Sequence, residues 1–306
     1  MNSVEFNETM SNALNILNVS ELKQELVSAG TKPKLVLKGI NFSIPKGSLT
    51  GFIGVNGAGK TTTIKSLLNF IHPKSGTIKF FGETGLSKIS RQRLGFMPER
   101  PYFYDFLTGK EFLALHWKLH GLSTDQLFEY RCDEVLKQVD LERGKNLRLR
   151  QFSKGMLQRI GIAQSIIHKP ELLILDEPMS GLDPDGRFLI KSIIRKLHNS
   201  GTTIFFSSHL LQDMEELCTR LVIIEQGEII YEGSLNDLGA QRQDEYLILA
   251  QNLESSVTQE FHCSRSVLQN KIDQLRVDKL EILNVSQRKI SLEEAFILLR
   301  KRREKI

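Results

Sequence analysis

At 306 residues and a net charge of +5, the chain has room for one large domain or two modest ones, and its charge is too diffuse to predict a nucleic-acid surface. Its charged and apolar fractions, 25% and 40%, are those of an ordinary globular protein, and no apolar run is long enough to span a bilayer. Residues 1–12 are acidic and lack an apolar core, so no secretory signal is expected; Cys132, Cys218 and Cys263, odd in number and scattered, read as reduced thiols of a cytoplasmic protein.

The first elements read as strands. Leu14, Ile16 and Val19 predict one, and the alternation Leu35, Leu37, then Ile40, Phe42 and Ile44 predicts a second. Pro45-Lys46-Gly47-Ser48 turns the chain into the apolar run from Leu49 to Ile53. Then comes Gly54-Val55-Asn56-Gly57-Ala58-Gly59-Lys60-Thr61-Thr62, followed by the helical spacing of Ile64, Leu67, Leu68 and Ile71. Glycines let backbone N–H groups turn inward around anionic oxygens, and a helix start adds unpaired N–H groups and a positive dipole end. Gly54, Asn56, Gly57, Ala58, Gly59, Lys60, Thr61 and Thr62 are therefore expected to hold nucleotide phosphates. Lys60 reaches the β- and γ-phosphates, and the Thr61 hydroxyl ligates Mg²⁺. Chance alone produces this spacing in roughly one chain in a hundred of this length.

Residues 76–82 predict a further strand region. From Thr108 to Ile167 helical patterns dominate: Phe112, Leu115 and Leu119 on one face, then Val135 and Val139, then Leu157, Ile160, Ala163 and Ile167. Residues 172–175 are wholly apolar, as in a strand buried on both faces, and end in Asp176-Glu177-Pro178. Residues 202–206 predict another strand, ending in Ser207-Ser208-His209, and residues 221–224 a third. Strands alternating with helices predict a doubly wound α/β core with ligands at the strands' C-terminal ends. Asp176 suits a Mg²⁺ ligand and Glu177 a group that orients and deprotonates an attacking water. After Asp237 the pattern changes to short strands at 246–249 and 280–285. A closing helix is opened by the capping box Ser291-x-x-Glu294 and faced by Leu292, Ala295, Phe296 and Leu299. This predicts a small α+β accessory domain over 238–306. The basic run from Arg300 to Lys305 reads as a solvated helix end.

The order of these pieces, over nearly all of residues 14–235, resembles the ATP-binding subunit of ABC transporters. Residues 54–62 resemble its Walker A, and 172–177 its Walker B with the catalytic glutamate. Phe152-Ser153-Lys154-Gly155-Met156-Leu157-Gln158-Arg159 resembles the LSGGQ-type signature with its usual Gln-Arg. Met179-Ser180-Gly181-Leu182-Asp183 is similar to the D-loop, and His209 to the switch histidine. The resemblance implies a RecA-like P-loop NTPase over residues 1–237, with a parallel-sheet core, an antiparallel β subdomain and a helical subdomain at about 100–167. It further implies ATP and Mg²⁺ as ligands and hydrolysis carried by Glu177 and His209. Two copies, or one copy and a paired ABC subunit, would sit head to tail, Walker A of one and Ser153 and Gly155 of the other gripping each ATP. An integral-membrane permease is the implied partner, which places the chain on the cytoplasmic face of the inner membrane with no nucleic acid.

Five positions depart from the family pattern. Glu99 stands where glutamine is usual; its carboxylate still reaches Mg²⁺ but lacks the amide donor. Lys154 replaces the signature's first glycine, Met156 its glutamine and Phe152 its leucine. No Tyr, Phe or Trp lies between Ser20 and Lys34 to stack on adenine, which leaves aliphatic groups such as Leu26 or Val27. Tyr102-Phe103-Tyr104-x-Phe106 sits where the family docks its permease, and reads equally as core of the helical subdomain. The signature and the Ser291-Leu-Glu-Glu-Ala-Phe ending resemble bacterial exporter subunits for drugs, antibiotics or ions. Two rival readings are a soluble ABC ATPase acting on ribosomes or DNA, whose branches carry two cassettes or a long coiled coil, and a small-molecule kinase, which leaves the signature unexplained.

Overall fold

The computed structural model describes residues 15–26, 33–240, 245–252, 257–287 and 291–303; Leu14, Val27 and the end of the basic tail lie outside them. The chain divides into two compact units at Gly233/Ser234.

In the first unit, β1 (Asn15–Leu26) and β2 (Lys34–Pro45) pair antiparallel, and β1 also pairs with β4 (Ser75–Phe80), which carries the short β5 (Glu83–Thr84) at its edge. A second sheet runs β10-β9-β3-β8-β7-β6: β10 (Glu228–Ser234), β9 (Arg220–Glu225), β3 (Leu49–Ile53), β8 (Thr203–Ser208), β7 (Leu172–Leu175) and β6 (Leu94–Met97). Its β9-β3-β8-β7-β6 portion is parallel. The two sheets share one core: Phe42 of β2 stacks on Phe52 of β3 and Phe205 of β8 at 5.9 and 5.8 Å between ring centroids, with Ile64 and Leu67 of helix α1 (Lys60–Leu67) buried in the same cluster. Leu35, expected among the inward residues of β2, faces solvent, because the alternation shifts at the β1/β2 irregularities and Gly39 takes a φ of 93°.

The sequence pattern predicts no strand at residues 94–97, where the structure has β6. Four residues including a glycine carry little strand signal. They form an edge strand because β7 supplies the pairing, Met97 opposite Leu175. Glycine at 95 is required, since any Cβ there would collide with the Ser165 carbonyl oxygen.

Between the short helix α2 (Lys88–Gln92) with β6 and the strand β7 lie three mutually packed helices: α3 (Gly109–Leu119), α4 (Gln126–Gln138) and α5 (Lys154–Ile166). Thr108 and Glu111 form a reciprocal capping box at α3, and Asp125 caps α4. The buried stripe of α3 is Phe112, Leu113 and Trp117, whereas Leu119 is 72% exposed and Leu115 only half-buried. Packing against both α4 and α5 rotates the helix from the expected face. The segment Tyr102 to Phe106 is surface: Tyr102, Tyr104 and Phe106 are exposed, and Phe103 alone packs inward on Phe112. After β7 come α6 (Pro184–Asn199), capped by Asp183 with proline in its first turn, and α7 (Leu211–Leu217) after β8.

The second unit holds an antiparallel sheet β12-β11-β13 formed by β11 (Glu245–Asn252), β12 (Thr258–Ser264) and β13 (Leu280–Gln287). Helix α9 (Leu268–Val277) packs on it, and α8 (Leu235–Ala240) contacts α10 (Leu292–Arg303). Strand β12 and helix α9 were not expected from sequence. Polar, largely exposed Thr258 to Ser264 lacks alternation, and α9 buries only Leu275. Among the described residues no helix is long and apolar enough to cross a membrane.

Candidate functional site

An open cleft of about 700 Å³ lies at the C-terminal ends of the parallel strands, lined by Leu26, Lys34, Val36, Val55, Asn56, Gly57, Gly59, Lys60, Thr61, Thr62, Glu99, Glu177, Ser180 and His209. Strand β3, buried throughout, delivers the phosphate loop at its end. Gly57 and Gly59 take φ of 81° and 117°, a region closed to most side chains. With Gly59 as its first flanking residue, α1 has no side-chain cap, so its leading N–H groups are left to a ligand. Gly54 and Ala58 do not line the cleft. The Gly54 carbonyl accepts from Lys60 Nζ at 2.6 Å, and Ala58, its methyl buried, donates its N–H to the Val55 oxygen at 3.1 Å.

Lys60 is buried, and its ammonium also lies 3.4 Å from Glu177 Oε1. The second Glu177 oxygen, Oε2, is 2.9 Å from His209 Nδ1. Glu177 has a φ of 48°, a strained left-handed conformation for a side-chain-bearing residue; such strain is tolerated where the surroundings over-determine the position. Here the Glu177 N–H donates to Ser207 Oγ at 2.8 Å, and the same hydroxyl donates to Asp176 Oδ1 at 2.6 Å. Parallel pairing of Leu175 with Phe206 sets these residues side by side. Sequence reasoning passed over Ser207, which carried no motif signal beyond its place at a strand end.

Burial pushes the Asp176 carboxyl above its ordinary value. Hydrogen bonds from Ser207 and Thr61 act in the opposite direction, and the charges of Glu177 and Glu99 add to the rise. Strand β6 explains how Glu99 arrives here: Asp176 N–H donates to the Met97 oxygen at 2.9 Å, which anchors the end of β6 beside that of β7. The aliphatic lining of the cleft is Leu26, Val36 and Val55.

Ser153 and Gly155 stand apart from this cleft. Ser153 caps α5, its Oγ accepting from the Met156 N–H at 3.3 Å, and the space beside Gly155 is open. Lys154 is exposed, as a solvent-facing side chain would be, and its ammonium lies against Gly181 of the 179–183 loop. Gln158 ties the same helix to the segment after Glu177, donating to the Pro178 oxygen at 2.6 Å.

The phosphate loop, the strand-end carboxylates Asp176 and Glu177 and the helix-capping Ser153 fall inside the stretch that one family model matches, and His209 lies beyond it. The model described as "ABC transporter" matches residues 37–180, and an ABC transporter ATP-binding protein of Nostoc sp. is 40% identical over 252 residues, covering 81% of this chain and 75% of that protein. The chain belongs to the ABC transporter family. The bacitracin transport ATP-binding protein BcrA of Bacillus licheniformis is 36% identical over 285 residues, covering 85% of this chain and 90% of that protein. The linearmycin resistance ATP-binding protein LnrL of Bacillus subtilis is 39% identical over 223 residues, covering 71% and 70%. A solved ATP-binding subunit of an ABC transporter superposes with a TM-score of 0.65 at 32% identity, covering 74% of this chain and 92% of that one. This member of the family is an ATP-binding, ATP-hydrolysing cassette with a RecA-like P-loop fold.

Proposed function

We propose that this cassette powers export through a separate integral-membrane permease, working from the cytoplasmic face of the inner membrane. Relatives named for bacitracin transport, linearmycin resistance and Nod factor export support that reading. The alternative, a soluble ABC ATPase acting on ribosomes or DNA, gains no support from these relatives, which are named for transport and resistance.

The observation that carries the hydrolytic assignment is Glu177 held between Lys60 and His209 at the mouth of the phosphate loop. In this reading Lys60, with the loop and α1 N–H groups of Asn56, Gly57, Gly59, Thr61 and Thr62, binds the β- and γ-phosphates. Gly54 and Ala58 shape the loop from behind. Glu177 takes a proton from the attacking water, and His209, with Nδ1 engaged by Glu177, turns its Nε2 edge toward the γ-phosphate. Adenine rests on Leu26 and Val36.

Mg²⁺ fits the donor set. Among the described residues no three His, Cys, Asp or Glu side chains form a closed metal cluster, but Mg²⁺ in nucleotide sites takes one or two carboxylates alongside phosphate oxygens. Thr61, Asp176 and Glu99 would hold it, directly or through water, and its charge would offset the carboxylates that raise Asp176. When bound it supplies charge neutralisation at the phosphates.

Ser153 and Gly155, outside the chain's own cleft, would complete the site of a second copy or paired subunit, donating the N–H groups at the start of α5. Residues 238–306 would support or regulate that pairing.

The test begins with the genes beside this one: a neighbour that encodes a membrane protein of about six spans is co-expressed with this chain. Expected are co-purification from membranes and ATP hydrolysis that the membrane protein stimulates. A cassette that neither associates with a membrane protein of about six spans nor confers ATP-dependent efflux would overturn the transport reading.

A further inference from the structure

Helix α7 begins directly after His209 and is clamped against α6 by charge. Both carboxylate oxygens of the fully buried Asp213 accept from Arg187 Nη2, each at 2.8 Å. Lys191 sits 3.4 Å from the same carboxylate and also pairs with Glu216, whose carbonyl oxygen accepts from Arg195 at 2.8 Å. Arg187, Lys191 and Arg195 recur at one-turn spacing, so a single cationic stripe of α6 meets α7. The next residue of α7 after Asp213, Met214, packs against Gly51 of β3, the strand that leads into the phosphate loop.

The two clamped helices start at two different parts of the site. Helix α6 grows out of the 179–183 loop, capped by Asp183, and that loop contributes Ser180 to the cleft. Helix α7 follows His209, with the Leu210 N–H bonded to Ser208 Oγ at 3.0 Å. A displacement of the loop moves α6, and the Asp213 pair obliges α7 to follow. An isolated carboxylate in this position would be costly to bury, and a hydrophobic pair would hold the helices without fixing their register.

We propose that Asp213 and Arg187, backed by Lys191, are positioning residues for ATP hydrolysis: their ion pair transmits the placement of the 179–183 loop to His209. The inference rests on the assignment of His209 to the γ-phosphate made above. None of the three side chains lines the cleft, so they act only through the residues they hold.

The experiment compares steady-state hydrolysis by Asp213→Asn, Arg187→Gln and Arg187→Lys, alone and in a His209→Ala background, with ATP affinity measured by titration calorimetry. Displacing a catalytic group by about 1 Å costs on the order of 10²-fold, so Asp213→Asn and Arg187→Gln should lower kcat by roughly 10- to 100-fold with KM and ATP affinity unchanged. Arg187→Lys, which keeps the charge, should recover part of the loss. In the His209→Ala background the same changes should cost no further single-turnover rate. If Asp213→Asn fails to fold because two cations lose their partner, Arg187→Gln, at a partly exposed position, carries the comparison. Full kcat in Arg187→Gln, equal loss of kcat and ATP affinity, or an undiminished further loss in the His209→Ala background would each overturn the proposal. Full activity of His209→Ala alone would instead remove the assignment of His209 on which it stands.

Discussion

Glu177 and His209 face each other across the cleft at 2.9 Å between Oε2 and Nδ1, although β7 and β8 deliver them from separate crossovers. Lys60 of the phosphate loop lies 3.4 Å from the other Glu177 oxygen. The carboxylate is therefore oriented from both sides, the kind of fixed placement that electrostatic preorganisation requires.

If Glu177 is the base, Glu177→Gln keeps the shape and the contact to His209 while removing the proton acceptor. Turnover should fall by about 10²–10⁴-fold, with ATP affinity retained and the ATP-bound pair of chains accumulating. Steady-state hydrolysis and size-exclusion chromatography with ATP check both. Near-normal turnover would refute the assignment.

The space beside Gly155 is open, and in the proposed pairing a partner's nucleotide would approach there. A Gly155→Asp chain should bind ATP with its own phosphate loop, yet fail to pair or hydrolyse, because a carboxylate then meets the γ-phosphate. Mixed with a Lys60→Ala chain, it should regain partial activity, since one composite site per mixed pair is intact. Full activity of Gly155→Asp by itself would sink the shared-site arrangement.

Asp176 is a carboxyl whose value in the folded protein is raised, chiefly by burial. Folding therefore favours its protonated form: its contribution to stability is fully present below the ordinary carboxylate range and is lost as pH rises through the raised value. Asp176→Asn removes the buried charge and keeps an oxygen for Ser207. It should raise the Tm of the nucleotide-free protein at neutral pH, with the gain shrinking on acidification, while Mg²⁺-dependent hydrolysis is lost. A Tm unchanged or lowered at pH 7, measured by calorimetry, contradicts this account.

Between α3 and the end of α5, His120 and His168 stack at 3.6 Å between ring centroids. Burial lowers His168 from 6.5 to about 4, with the charge of His120 adding to the shift, and lowers the neighbouring His116 to about 4. Because these imidazoles are held neutral, the unfolded chain binds more protons between pH 6.5 and about 4, and stability falls as pH drops through that window. His168→Gln, which keeps a side-chain donor for the Leu94 oxygen that His168 contacts at 3.0 Å, should flatten the slope of Tm against pH there. An identical slope in the variant would show that the stack does not titrate on unfolding.

The phosphate-loop residues are legible in the chain because their chemistry is contiguous. A turn that needs glycine, a helix start and the Lys60-Thr61 pair follow one another along the backbone, and buried parallel strands such as Leu172–Leu175 announce themselves by unbroken apolar runs. The family resemblance was legible for the same reason, each motif being a short local run in a set order. Tertiary structure alone decided which strand ends meet. Ser207 bridges Asp176 and Glu177 because β7 and β8 pair in one register, and Glu99 reaches the cleft because weak β6 borrows its pairing from β7. Likewise, the exposure of Tyr102, the rotation of α3, the contact of Lys154 with Gly181 and the burial of Asp213 between α6 and α7 depend on how helices pack. Periodicity states that a helix has an apolar face; the neighbours it packs against determine where that face points.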